Sequence, residues 1–190
     1  MSPARAAALA LLSPVVFSEA AHGQDAWRLV ALYGQASAPT SQGFAESGAI
    51  ALGREWPLGK GFGISAEVYP LFLVRLTRVD LPERPRETVW AFAASPLLSY
   101  TFLPEKARVR IRLEAGVGLF WGFSPVPAEG SRFNFLDQLG GLLVFRLDSG
   151  ARISAGLCRF HVSNAHLYGS VDPGLSFYSG TVSFSWPPRK

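Results

Sequence analysis

His161 and Ser163 are the residues of this chain whose types and spacing could support catalysis. They lie in the segment RFHVSNA (residues 159–165), at the end of a run with strand-like alternation. In a strand, residues two apart point to the same face, about 6–7 Å from each other. An imidazole beside a hydroxyl is the start of a nucleophile–base pair, because serine is a weak nucleophile until a base takes its proton. The same residues would also fit a strand that simply ends in a polar loop. The surrounding sequence is therefore needed to distinguish a catalytic pair from an ordinary strand end.

Residues 107–123 show most clearly what those elements are. The odd positions are apolar from Ala107 to Phe123, whereas the even positions include Arg112 and Glu114. A period of two is the mark of a strand with one apolar and one polar face. The run is longer than the ~5–6 residues of an ordinary strand and than the ~9–11 residues of a tilted membrane-spanning strand. The segment therefore predicts a strand that crosses a membrane.

The same alternation recurs along the chain and predicts eight strands in all. An even number of strands with polar inner positions and aromatic residues near the strand ends is typical of a small outer-membrane barrel. Closure is required because a membrane tolerates no unpaired sheet edge. We therefore predict an all-β fold, an eight-stranded antiparallel transmembrane β-barrel. Its segments are residues 26–36, 46–56, 61–74, 88–103, 107–123, 132–147, 151–163 and 175–186.

The two faces of these segments are assigned from the alternation. The polar set Arg108, Arg110, Arg112 and Glu114 is predicted to form an ion-paired filling of a narrow barrel. Within residues 61–74, the apolar and outward set is predicted to be Phe62, Ile64, Ala66, Val68, Phe72 and Val74, with Glu67 opposed.

The predicted connections fall into two classes. Short turns follow the second, fourth and sixth segments, at residues 57–60, 104–106 and 148–150, and longer loops follow the other segments. This asymmetry is typical of periplasmic turns and extracellular loops. It places the mature N-terminus in the periplasm and the end of the seventh segment near the cell exterior.

Two features of the chain bear on export and redox chemistry. Arg5, the apolar run 6–17 and small-residue cleavage sites up to Gly23 predict a secretory signal over residues 1–23, followed by a barrel domain over residues 24–190. The single cysteine, Cys158, excludes an intramolecular disulfide, and one Cys with three His does not make a zinc site. We expect no metal and no other cofactor.

The charge of the chain does not indicate a nucleic-acid partner. The net charge is +4, the arginines are spread over strands and loops, and no DNA- or RNA-binding motif is present. The soluble alternative is a lipocalin-like barrel, which also has eight strands but points its apolar face inward around a ligand. The 17% content of charged residues and the large aromatics on the apolar faces favour the membrane barrel.

In this topology the His/Ser pair faces outward. His161 and Ser163 share the parity of Ile153 and Leu157, which is the apolar, lipid-facing set. Ser176 should lie on the same outer face of the adjoining strand, because it shares the parity of the apolar positions there. Polar groups that face lipid are unfavourable and are usually functional. The arrangement suits a substrate that reaches the site laterally within the membrane.

The motif His161-x-Ser163-Asn164-Ala165, followed by Asp172-Pro173-Gly174 and a last alternating strand, resembles the lipid A 3-O-deacylase family. The resemblance is most specific over residues 159–180. It implies an outer-membrane serine esterase that removes the 3-O-linked acyl chain from lipid A of lipopolysaccharide in a Gram-negative bacterium. By that analogy Ser163 is the nucleophile and His161 the general base, and no metal is needed.

The chain departs from the family pattern at two places. Ser176 stands where the family has the acid that orients the histidine, and a serine cannot stabilise an imidazolium by charge. His166 stands where the family usually has glycine, and Asp172 replaces the asparagine of Asn-Pro-Gly. Asn164, Asp172 and Gly174 are therefore the predicted oxyanion or substrate-binding positions, with Asn164 and backbone N–H groups as donors. The departures leave open a catalytically impaired barrel of the same family that binds lipopolysaccharide.

Overall fold

Eight strands close into a single antiparallel barrel in the computed structural model of the chain. The structure describes residues 25–37, 44–77, 86–104, 107–126, 130–165, 167 and 174–188, so the predicted signal segment 1–23 lies outside the described residues. Each strand pairs with its neighbours in sequence, and β1 pairs with β8 to complete the closure. The strands are β1 Ala26–Ser37, β2 Phe44–Gly59, β3 Phe62–Thr77, β4 Arg86–Phe102, β5 Val109–Val126, β6 Ser131–Arg146, β7 Arg152–Ser163 and β8 Leu175–Trp186.

The outer face of the barrel is apolar, as the alternation predicts. Large side chains such as Leu119, Leu139 and Leu157 are exposed there, whereas the alternating positions between them are largely buried. This confirms the predicted all-β, eight-stranded antiparallel fold. It is the reverse of a lipocalin-like barrel, whose apolar face points inward. Within the described residues, no helix is long and apolar enough to span a membrane.

A charged cluster fills the lumen and includes two residues predicted to face it, Arg112 and Glu114. The Arg28 guanidinium donates two hydrogen bonds to the Glu114 carboxylate, at 2.6 and 3.0 Å. Its Nη1 also lies 3.1 Å from Oε1 of Glu67. Arg112 donates to Glu55 at 2.7 Å. These ion pairs join strands far apart in sequence, and because the opposite charges are adjacent, the cluster fills the interior without leaving an isolated charge.

The other half of the lumen, toward the β7–β8 connection, is aromatic. Phe72 packs edge to face against Phe120, with ring centroids 5.3 Å apart, and against Phe160 at 6.4 Å. Tyr69 joins this group and donates a hydrogen bond to Glu67 at 2.6 Å, which links the aromatic and charged halves. Through Phe160, this packing holds the inner face of β7, the strand that carries the His/Ser pair.

The prediction that Phe72 and Val74 face outward is wrong. Both side chains have no exposed area and belong to the interior. A β-bulge lies between Tyr69 and Phe72 in the pairing of β3 with β4. Because an extra residue in one strand reverses the facing of every residue beyond it, the apolar set of β3 changes sides at this point.

Two further differences concern β5 and its ends. Arg108 precedes β5, and its side chain is 86% exposed instead of lying in the lumen. At the other end, β5 and β6 continue until Val126 pairs with Ser131, so their connection is confined to residues 127–130. The long loop predicted here is therefore a short hairpin connection, because the apolar alternation fades before the backbone pairing ends.

Candidate active site

β7 ends abruptly at the His/Ser pair. Ser163 is its last residue, and Ala165 adopts a left-handed backbone conformation with φ of 51°. A non-glycine residue with this φ is uncommon and marks a sharp change in chain direction. The turn is closed by the N–H of Leu167, which donates to the carbonyl of Asn164 at 3.0 Å. Ser163 therefore lies at the rim of the barrel, where the chain leaves the sheet.

The structure places His161 and Ser163 on the outer face of β7, half-buried. The residues that alternate with them, Phe160 and Val162, are fully buried in the lumen. Because the inward side chains are tightly packed, the backbone that carries the outward pair is held firmly. The His/Ser pair therefore has tightly packed apolar side chains on the lumen side of its strand and lies on the outer face of the barrel.

Ser176 is the hydrogen-bond partner of His161. The two residues are directly opposite each other in the pairing of β7 with β8. The Nδ1 atom of His161 lies 2.8 Å from Oγ of Ser176. Adjacent strands thus hold the imidazole by one of its two nitrogens and leave the other nitrogen for a second contact.

Gly174 lies against the Cε1–Nε2 side of the same imidazole. A Cβ placed on Gly174 would be 2.9 Å from Cε1 and 3.3 Å from Nε2 of His161, and 3.6 Å from Cβ of Ser163. The Cε1 and Nε2 atoms of the ring and the Cβ atom of Ser163 therefore all lie close to the position of Gly174. A serine nucleophile needs its base nearby, so this proximity makes the two residues candidates for such a pair.

Two charged residues that the sequence interpretation did not select complete the outer face of the site. Arg159 donates a hydrogen bond from Nη2 to Oγ of Ser176 at 3.1 Å. Its Nη1 lies 3.8 Å from Oδ2 of Asp137, which is directly opposite His161 in the pairing of β6 with β7. Asp137 was detectable as a carboxylate at an outward position among apolar neighbours of β6, but its proximity to His161 follows only from the register.

The remaining predicted site residues have different surroundings. Asn164 follows Ser163 directly, beyond the end of β7, and its side chain is buried. Asp172 and His166 lie outside the described residues. In the described part of the chain, no group of three or more His, Cys, Asp or Glu side chains could hold a metal ion. A cavity of about 510 Å³ lies at the opposite end of the barrel, beside Arg110, Arg112 and Arg152.

Substitution Gly174→Ala is expected to lower the activity of this site about tenfold. The new methyl group would meet the imidazole at 2.9 Å, and the backbone φ of 33° is unfavourable for a residue with a side chain. Displacing a catalytic ring by a fraction of an ångström is enough for a loss of about this size. The hydrolysis rate of an ester substrate measures it.

Gly180→Ala is the matched control for this substitution. Gly180 lies on β8, six residues beyond Gly174, and a Cβ there would have Tyr33 O, at 4.0 Å, as its nearest neighbour. It should leave the rate unchanged. Equal rates for the two variants would show that Gly174 does not position His161.

Comparison with known proteins identifies a family and a fold for the chain. The family model described as lipid A 3-O-deacylase (PagL) matches residues 22–185. Among solved structures, the outer membrane enzyme PagL is similar at 19% identity, with a TM-score of 0.58, covering 82% of this chain and 97% of that one. No curated protein sequence matches the chain.

Two further solved structures show the same barrel. Neisserial surface protein A (NspA) is 13% identical, with a TM-score of 0.54, and covers 85% of this chain and 94% of its own. The outer membrane protein OprG from Pseudomonas aeruginosa is 10% identical, with a TM-score of 0.53, and covers 87% of this chain and 97% of its own. These similarities establish the fold, and the family match over residues 22–185 goes further: the chain belongs to the PagL family of lipid A 3-O-deacylases.

Proposed function

We propose that the protein is an outer-membrane serine esterase that removes the 3-O-linked acyl chain from lipid A of lipopolysaccharide. The observation that carries the proposal is that the His161 ring and the Ser163 side chain share the outer face of β7 and both lie beside Gly174. Membership of the family supports lipid A as the substrate class. The apolar outer surface supports a location in the outer membrane of a Gram-negative bacterium, reached by means of a signal over residues 1–23.

The proposed reaction begins with His161 as general base. In the proposed tautomer, Nδ1 carries the proton and donates a hydrogen bond to Ser176, and the lone pair of Nε2 takes the proton from the Ser163 hydroxyl. The Ser163 oxygen attacks the acyl carbonyl and forms a bond to carbon, and the C–O bond to the sugar breaks. The sugar oxygen leaves with the proton from Nε2, which yields an acyl-enzyme.

Hydrolysis of the acyl-enzyme repeats these steps with water. His161 takes a proton from water, the hydroxide attacks the acyl carbon, and Ser163 leaves with that proton. The products are a free fatty acid and a lipid A with one free hydroxyl. The proposed oxyanion donors are backbone N–H groups at the end of β7 and near Gly174, where the chain leaves the sheet. Because the site faces outward, the substrate reaches it laterally from the outer leaflet.

The proposal is tested by mass spectrometry of lipid A after purified lipopolysaccharide is incubated with the full-length, folded protein. The expected result is the loss of the mass of one ester-linked acyl chain and the appearance of the matching free fatty acid. Unchanged lipid A in the presence of bound protein would contradict the esterase and favour a lipopolysaccharide-binding barrel. Ser176 at the acid position is the observation that favours this second candidate.

Substitution Ser176→Glu is expected to raise the deacylation rate, by about tenfold or more. A carboxylate at this position would accept the hydrogen bond from Nδ1 and stabilise the imidazolium by charge, which the Ser176 hydroxyl does not do. Ser176→Gln is the matched control, because it offers a hydrogen-bond acceptor of the same length without the charge. Equal initial rates for the two variants would show that charge at this position is not limiting.

A further inference from the structure

His161 lies between three residues that determine the charge around it. Asp137 on β6 and Ser176 on β8 are its direct cross-strand neighbours, one on each side. Arg159 lies one outward position before His161 on β7 and contacts both of them. Directly opposite residues have Cβ atoms about 4.5–5.5 Å apart, so Asp137 is within close range of the imidazole.

The contacts on the β8 side alone oppose catalysis. Catalysis requires a positive charge to form on His161, yet its partner Ser176 is neutral and accepts a hydrogen bond from the Arg159 cation. Because the Arg159 cation and the imidazole contact the same Ser176 oxygen, Arg159 disfavours a positive charge on His161, and this effect is larger beside hydrocarbon than in water. A negative charge on the same face is therefore needed to offset Arg159.

Asp137 is placed to supply that charge. Within the described residues of β6, β7 and β8, it is the carboxylate on this outer face. Tyr178, opposite Arg159 on β8, is the other titratable neighbour there. The Asp137–Arg159 pair is about 40% exposed, with a long N–O separation of 3.8 Å. Such pairs contribute little to folding stability, so a purely structural role explains the pair poorly.

We propose that Asp137 is the positioning residue that replaces the missing acid of this site, acting through Arg159 and across the β6–β7 pairing to offset the charge beside His161. The inference rests on the proposed function of His161 as the base for Ser163. In this arrangement the carboxylate comes from β6, whereas Ser176 contacts the histidine from β8, on its other side.

The test compares variants that break the same ion pair from opposite ends. The readout is the rate at which a fluorophosphonate probe labels Ser163 in the full-length folded protein in detergent micelles. Asp137→Asn removes the negative charge and should slow labelling at least tenfold, whereas Arg159→Gln removes the opposing cation and should speed it. The double variant Asp137→Asn/Arg159→Gln should return toward the parent rate.

A carboxylate placed on β8 should restore the labelling rate that Asp137→Asn lowers. In the background of Ser176→Glu, substitution Asp137→Asn should slow labelling less than twofold, because the charge now comes from residue 176. Folding of every variant is checked by the difference in gel mobility between unheated and boiled samples. A merely structural ion pair would give equal losses for Asp137→Asn and Arg159→Gln and no rescue, and this result would overturn the inference.

Two outcomes separate this inference from the proposed function. A parent protein that labels at Ser163 but leaves lipid A intact would contradict the lipid substrate and leave the role of Asp137 measurable. A parent that deacylates lipid A, with Asp137→Asn labelling at the parent rate, would contradict the role of Asp137 alone. A parent in which Ser163 does not label at all would overturn both.

Discussion

Substitution Ser163→Ala is expected to lower the deacylation of lipid A by about 10³-fold or more, since loss of a nucleophile removes covalent catalysis altogether. The methyl group of alanine retains the Cβ that lies beside Gly174, so the surroundings of His161 should stay in place. Initial rates of fatty-acid release from purified lipopolysaccharide measure the effect. A rate within threefold of the parent would remove Ser163 from the mechanism and, with it, the proposed esterase.

Ser183→Ala is the control for this experiment. Ser183 lies on β8 and is buried, and its hydroxyl has no hydrogen-bond partner in the described part of the chain. Removing it therefore leaves no group without its partner. We expect the parent rate for this variant, which would show that the loss at Ser163 is specific to the outward site.

Substitution Arg28→Met is expected to lower the free energy of unfolding by about 3–5 kcal/mol, the range for breaking a buried ion pair from one side. Methionine fills much of the same space but leaves the Glu114 and Glu67 carboxylates without the guanidinium that contacts both at 2.6–3.1 Å. Urea unfolding of the protein in lipid vesicles measures the change. A loss below 1 kcal/mol would mean that the carboxylates find other partners in the lumen.

Arg108→Met is the matched control for the lumen experiment. The Arg108 side chain is 86% exposed, and a carboxylate oxygen of Asp148 lies 4.0 Å from it. A solvated pair of this kind contributes little, so the expected change lies within ~0.5 kcal/mol. The contrast between the two arginines tests whether the position in the lumen, and not the residue type, determines the effect.

The strand alternation made the barrel predictable. Residues 107–123 keep one face apolar throughout. Because successive side chains of a strand point to opposite faces, this pattern indicates a strand with one apolar face. Parity along β7 likewise indicated that His161 and Ser163 face outward with Leu157. The prediction was wrong for β3 because alternation assumes an unbroken strand. At the bulge between Tyr69 and Phe72, one extra residue reversed the faces of β3, and alternation alone could not detect this change.

The individual strand sequences therefore determined which residues could face the lipid and which could fill the lumen, because that depends on a single backbone period. They did not determine which residues meet across strands. Asp137, His161 and Ser176 come together only because closure of the barrel fixes the register of β6, β7 and β8. Register depends on the packing of all eight strands at once, since Phe160, Phe72 and the Arg28 cluster must fit one narrow lumen together. The tertiary structure, and not the individual strand sequences, therefore placed the carboxylate of Asp137 beside His161, the proposed base.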